Sequence, residues 1–292
     1  MPPELSPQHR ALLDWSAVTR RDLPWRRTRD PWAVLVSELM LQQTQVARVV
    51  PKYEVFLERF PTPAECAAAP IADVVRHWAG LGYNRRALNL HGAATACVAR
   101  HRGRLPATLD ELLALPGIGP YTARAVLAFA HEADVGVLDT NAARVTARLA
   151  GRRLAAREAQ ELADGAVPPG QGWAWNQAML DLGATVCTKR VARCDACPMT
   201  ALCAWHLAGH PEPDPAEGSA GTSGRQSTFE GSDRQGRGRL VDALRTGPVS
   251  VHDLAATMGW PRDRDRAERV VATLLADGLA EVAPDGAFRL PG

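Results

Sequence analysis

Lysine is nearly absent: Lys52 and Lys189 are the only two among 34 basic residues, and arginine makes up the rest. That scarcity is a compositional bias and by itself excludes no class of function. An excess of one charge is lacking as well. The formal net charge is +2, so global charge selects neither nucleic acid nor an acidic partner. No apolar run approaches the roughly 18–20 residues that a membrane span requires, and the opening MPPELSPQHR has no apolar signal core. A cytoplasmic protein without a membrane partner is therefore expected. Period-two runs of β-branched residues are also nearly missing, which argues against a sheet protein. What remains is 46% hydrophobic and 23% charged, the balance of a soluble globular chain. At 292 residues it can build one large or two ordinary cores.

Helical apolar patterns joined by short turns fill the first two hundred residues, so the class reads as all-α. Ser6-Pro7 has the form of a helix start, a capping side chain followed by proline at the first helical position. Further helical patterns fall at about 31–44, 47–59, 71–79, 84–102, 108–114, 120–131, 141–150, 156–166 and 171–184. From His210 the composition turns to Pro, Gly, Ser, Asp and Arg, with Phe229 its only aromatic residue. This predicts a partly disordered linker over 210–237. Residues 238–292 then read as three helices and two short strands about an Asp-Gly turn, a winged-helix-like pattern. The division is thus 1–209, 210–237 and 238–292. Contact of the last part with DNA and contact with protein are equally open.

Six cysteines are present. Cys66 and Cys97 stand alone in helical patterns and read as small core residues. Cys187, Cys194, Cys197 and Cys203 crowd into CTKRVARCDACPMTALC, spaced C-x6-C-x2-C-x5-C. Zinc usually draws C-x2-C pairs separated by a longer loop. A single tight run with unequal gaps, and proline after the third cysteine, fits an iron–sulfur cubane better.

Three further stretches carry chemistry. LPGIGPYTARAVLAF places Gly117 and Gly119 about an apolar residue before a helix start. That is a helix–hairpin–helix turn whose N–H groups can hold a phosphate, or simply a tight turn with glycine caps. VGVLDTNAARV sets Asp139 after an apolar run and before a helix, where it suits an N-cap. A cap and a catalytic carboxylate are compatible there, because the helix terminus favours the ionised form. Between Asp30 and Arg48, finally, Glu38 is the only charged residue, in VLVSELMLQQTQ. Glu38, Gln42 and Gln45 fall at helical spacing and would share one stripe. A solvated face and a surface for bases both fit that spacing.

Read in order, LPWRR, SELMLQQTQV, GLGYNRRALNLH, LPGIGPYTA, VLDTN, WNQAMLDLGATVC and the cysteine run resemble the helix–hairpin–helix DNA glycosylases that carry an iron–sulfur cluster. Within them they resemble the A/G-specific adenine DNA glycosylases, over about residues 8–205. The resemblance implies a two-lobed helical fold, a [4Fe-4S] cluster on the four clustered cysteines and a monomer acting at the nucleoid. It also implies a double-stranded DNA partner with adenine opposite 8-oxoguanine or guanine. The bifunctional lyases of endonuclease III type have lysine where Tyr121 stands in LPGIGPYTA, so this chain is expected to be monofunctional.

The same resemblance assigns roles. Glu38 is implied as the acid that protonates N7 of a flipped-out adenine, and its apolar neighbours would keep the proton on it. Asp139 would stabilise or trap the oxocarbenium-like sugar, with Asn141 orienting it and Tyr121 beside the sugar. Gln42 and Tyr83 match residues that wedge into the base stack, while Gln43, Arg26 and Gln177 match positions near the adenine pocket. Lys189, with Arg190 and Arg193, would meet the phosphate backbone. On this reading the Glu38 face is expected to be wet in the free protein and covered by DNA in the complex. Two alternatives stay open: a glycosylase for thymine or uracil opposite guanine, and a non-catalytic DNA-binding protein. The chain departs from many family members in being too short for a Nudix-like C-terminal domain, which puts in doubt how the opposite base is read.

Overall fold

Prolines, glycines and capping hydroxyls divide the chain into helices with almost no sheet. The computed structural model describes residues 5–222 and 228–292. The expectation of disorder in 210–237 falls partly on 223–227, outside the described residues. In chain order the helices of the first part are α1 (Pro7–Thr19), α2 (Pro31–Leu41), α3 (Val46–Arg59), α4 (Pro63–Ala68), α5 (Ile71–His77), α6 (Arg85–His101) and α7 (Leu109–Leu113). Then come α8 (Pro120–Ala130), α9 (Thr140–Ala150), α10 (Ala156–Gly165), α11 (Gly172–Thr185) and α12 (Ala204–Leu207). The last part holds α13 (Asp233–Leu244), α14 (Leu254–Met258), α15 (Arg264–Ala276) and an antiparallel hairpin of β1 (Glu281–Val282) and β2 (Phe288–Arg289). No helix among the described residues is long and apolar enough to cross a membrane.

Two compact units are present, and neither follows the chain without a break. One joins Met1–Pro31 to Gly119–Arg225, and the other joins Trp32–Ile118 to Gln226–Gly292. The core of the first comes from α1, α9 and α11, with Leu12, Val145, Trp175, Ala178 and Leu182 buried together. Gly183 permits the close packing of α11 on α9, since a Cβ there would stand 2.6 Å from the Asn141 side chain. α1 opens as its sequence predicts, with Ser6 Oγ accepting from the N–H of His9 and Pro7 following.

The second unit centres on a cluster of aromatic residues. Phe56 lies 4.9 Å from Phe60 and meets the Trp78 ring edge-on, while Trp32 Nε1 donates to the Phe60 carbonyl at 2.9 Å. Residues Trp32–Met40 of α2 are all buried. The helix ends at Leu41, short of the predicted 44, and Arg86 explains why. Its guanidinium donates to the carbonyls of Leu39, Met40 and Gln42, and to Thr44 Oγ1 and the carbonyls of Leu81 and Gly82. These bonds satisfy the carbonyls left over at a helix end and lock two loops together. Burial lowers the Arg86 pKa to about 10, which leaves the group charged at neutral pH.

The terminal helices belong to this second unit. α13 opens at Asp233, where Ser232 Oγ accepts from the Gln235 N–H and Gln235 Oε1 accepts from the Gly231 N–H, a reciprocal cap. Arg245 fastens α13 to its surroundings, donating to the Val75 carbonyl at 3.0 Å and to Asn84 Oδ1 at 2.7 Å.

Candidate active site and cysteine loop

Asp139 is the N-cap of α9, as its sequence context predicts. Its Oδ1 accepts from the backbone N–H groups of Asn141 at 2.8 Å and Ala142 at 2.6 Å, and its Oδ2 accepts from Asn141 Nδ2 at 2.8 Å. Burial pushes the Asp139 carboxyl above its ordinary value, opposed by these three donors and by the Arg144 charge. Asn141 is itself held, because its Oδ1 accepts from Arg144 Nη2 at 2.9 Å. Arg144 also donates to the carbonyls of Gly183 and Cys187. A continuous chain of hydrogen bonds thus runs from Asp139 through Asn141 and Arg144 to the cysteine loop. Sequence reading passed over Arg144, since an arginine inside a helix gives no local sign of its distant acceptors.

Tyr121, half-buried in the first turn of α8, belongs to the same unit as Asp139. Gly119 caps α8, and nothing lies within 4 Å of where its Cβ would be. Gly117 is required twice over: its φ is +72°, and a Cβ would come within 2.4 Å of Asn89. Arg26 is buried and forms a two-pronged ion pair with Asp181, at 2.7 and 2.9 Å, with Arg21 on the same carboxylate. Burial alone would raise the Asp181 carboxyl, but Arg26 and Arg21 hold it below the ordinary value. Gln177 is buried one helical turn before Asp181 on α11.

Glu38 corrects two expectations. It is only 5% exposed in the free protein, so the wet face foreseen for it does not exist. Nor does its helical stripe run on to Gln45. Gln42 lies past the end of α2, Gln43 adopts φ +55°, and Gln45 is the N-cap of α3. The left-handed Gln43 therefore breaks the helical register, and Gln45 falls off the stripe. Tyr83 stands on the neighbouring loop with φ +44° and is 44% exposed. Arg86 binds both loops, so Gln42 and Tyr83 are positioned by one guanidinium.

The four clustered cysteines line one small pocket, together with Arg148, Trp205 and His206. Burial raises the thiols of Cys194, Cys197 and Cys203, and repulsion from neighbouring sulfurs raises them further. Soft sulfur donors gathered around one pocket suit a thiophilic metal centre. Arg148 Nη1 reaches Cys187 Sγ at 3.2 Å and pairs with Asp214, at 2.6 Å from its Nη2. The ligand atoms of Cys194, His206 and His210 also lie within 4.8 Å of one another, a grouping the sequence reading missed. Lys189, Arg190 and Arg193 are exposed on this loop.

The family of HhH-GPD superfamily base excision DNA repair proteins matches residues 36–169. An adenine DNA glycosylase of Mycolicibacterium smegmatis is 42% identical over 287 residues, covering 96% of this chain and 95% of the relative. The adenine DNA glycosylase of Homo sapiens is 39% identical over 208 residues, covering 66% of this chain and 38% of the relative. Among solved structures, a thermostable thymine-DNA glycosylase aligns with a TM-score of 0.64 at 29% identity, over 68% of this chain and 94% of that one. A trapped endonuclease III–DNA covalent intermediate aligns at 0.59 and 23% identity, over 71% of this chain and 100% of that one, a likeness of fold alone. The chain belongs to the adenine DNA glycosylases of the HhH-GPD superfamily.

Proposed function

We propose that the enzyme removes adenine mispaired with 8-oxoguanine or guanine in double-stranded DNA and leaves an abasic site without cutting the strand. The observation that carries this reading is the Asp139 carboxylate, fixed by two backbone N–H groups and the Asn141 amide. A charge held so firmly suits a cationic sugar and costs no reorganisation as the transition state forms. Glu38 passes its proton to N7 of the flipped-out adenine as the bond from the sugar to N9 breaks. The bonding electrons leave with the base, and the sugar carries the positive charge toward Asp139. Water, oriented by Asn141, then adds to the sugar carbon and gives up its proton to the Asp139 carboxylate. Tyr121 offers no amine, so no Schiff base forms with the sugar.

The other assignments support the same reaction. Gln42 and Tyr83 enter the base stack, Gln43, Arg26 and Gln177 shape the adenine pocket, and Gly117, Gly119 and Lys189 meet phosphates. Cys187, Cys194, Cys197 and Cys203 would hold a [4Fe-4S] cluster, which when bound fixes the loop carrying Lys189. The rival set of Cys194, His206 and His210 suits zinc, but it uses only one of the four sulfurs. Purified protein should be yellow-brown with broad visible absorption and bound iron; colourless protein with one zinc per chain would refute the cluster. Residues 1–209 form the glycosylase part in this reading and 238–292 a winged-helix-like part, with the protein acting as a monomer in the cytoplasm.

A duplex panel under single-turnover conditions tests the substrate. Adenine should leave A·8-oxoguanine and A·G duplexes, with strand breaks appearing only after alkali. Release of thymine from G·T, with adenine untouched, would sink the proposal in favour of the activity named for the thymine-DNA glycosylase neighbour.

A further inference from the structure

The cysteine loop brings two histidines to one of its sulfurs, and neither histidine has a part in the adenine chemistry. His206 lies on α12 and His210 follows it, in the same unit as Cys194. His210 Nε2 stands 3.4 Å from Cys194 Sγ and 3.1 Å from His206 Nδ1, and the three ligand atoms all fall within 4.8 Å of one another. A tetrahedral zinc ion binds sulfur at about 2.3 Å and imidazole nitrogen at about 2.0–2.1 Å. Its nitrogens then stand about 3.3 Å apart, and its sulfur and nitrogen about 3.5 Å apart. Both close contacts match those edges to within about 0.2 Å, the tolerance a metal site allows. One thiolate and two imidazoles are also a donor set that zinc favours.

The backbone bends to make this grouping. α12 ends at Leu207, and Gly209 at φ +79° and His210 at φ +59° then turn the chain back on itself. The His210 N–H donates to the Trp205 carbonyl at 2.9 Å, which closes the turn. The Trp205 ring meets the His210 ring edge-on at 4.5 Å and is itself held, with Nε1 donating to the Pro211 carbonyl at 3.0 Å. On the other side Thr200 Oγ1 donates to the carbonyls of Cys194 and Cys197. Outer contacts of this kind orient the ligands of a metal. Cys194 and His206 are half-buried and His210 is exposed, so an ion can enter and water can fill its fourth position.

We propose that Cys194, His206 and His210 form a zinc site that fills when the cysteine loop carries no iron–sulfur cluster. Cys194 serves one centre at a time, so ion and cluster exclude each other. The Cys194 thiol releases its proton to solvent as the sulfur–zinc bond forms, and the ion ties the cysteine loop to α12. This inference stands apart from the adenine-excision reading. A proton on His210 Nε2, shared between Cys194 Sγ and His206 Nδ1, accounts for the same distances without a metal, and the experiment separates the two.

The test uses the full chain. Purified protein is freed of iron with an oxidant and a chelator, then titrated with Co(II), a coloured probe of tetrahedral zinc sites. A single ion per chain should bind, showing the visible bands of tetrahedral coordination and the charge-transfer band of a single thiolate. Zn(II) should bleach both. His206→Ala and His210→Ala should each weaken Co(II) binding at least about tenfold, the smallest loss expected when even an outer partner of a ligand is removed. Before iron removal both variants should match wild type in iron content and circular dichroism. Absence of binding, an octahedral spectrum, or a charge-transfer band of four-thiolate strength overturns the proposal. So does a Co(II) affinity within about twofold of wild type in both variants. Loss of iron from both variants as purified would make the histidines supports of the cluster, and that also overturns it. Wild type purified without iron contradicts the cluster assignment instead, and the same titration then decides the zinc site on that protein.

Discussion

Asp139→Asn lowers single-turnover adenine excision at neutral pH by about 10³-fold, the scale expected when a preorganised charge at a developing cation is removed. The substitution is close in shape and keeps a good N-cap, so stability should remain within about 1 kcal/mol of wild type. Linkage points the same way. Burial raises the folded-state pKa of Asp139 above its ordinary value of 3.8. Stability tied to this group is therefore full below that value and is lost as pH rises through the raised pKa. At neutral pH the charged form is the one that burial disfavours, and an asparagine carries no such penalty. Activity has the opposite dependence, because the reaction needs the charge. Excision by wild type should fall as pH drops through the raised pKa, with an acid limb above 3.8. Thermal unfolding beside a pH–rate series checks both halves. A variant that loses activity only by melting would refute the assigned role.

Glu38→Gln should cost about 10²–10⁴-fold in the same assay, the range for loss of a positioned general acid. Glutamine matches glutamate in size, which matters at a site only 5% exposed. It has no carboxyl proton to give to N7. Binding of a mismatched duplex should be retained, since Arg86 fixes the loops bearing Gln42 and Tyr83. Loss of binding together with catalysis would mean that Glu38 supports structure rather than proton transfer.

Much of this was legible in the chain. Apolar periodicity located α1, α3, α6 and α8–α11 to within a few residues, because each buries one face. The Asp139 cap was readable from a short polar residue between an apolar run and a helix. The four cysteines were readable from spacing alone. What escaped depended on distant contacts. α2 stops at Leu41 because Arg86, 45 positions later, takes up its last carbonyls. No local residue signals that end, so Glu38, Gln42 and Gln45 were placed on one stripe. α13 opens at Asp233 through a reciprocal cap of Ser232 and Gln235, in a stretch whose glycines and arginines resemble a linker. α4 was missed although Thr62 and Pro63 form a proper start, because its six residues are too few to show a period. Arg144 and Arg148 appear in sequence as ordinary helical arginines, and only the packing of α9 shows them reaching Cys187.

In the proposed reaction Glu38 moves a proton to N7 of adenine while Asp139 stays charged. Replacing the target adenine with 7-deazaadenine removes the atom that must be protonated and leaves the pairing edge unchanged. Full-length protein should bind an 8-oxoguanine duplex containing this analogue about as tightly as the adenine duplex, yet release no base in single-turnover conditions. Release of 7-deazaadenine at a rate comparable to adenine would contradict the account.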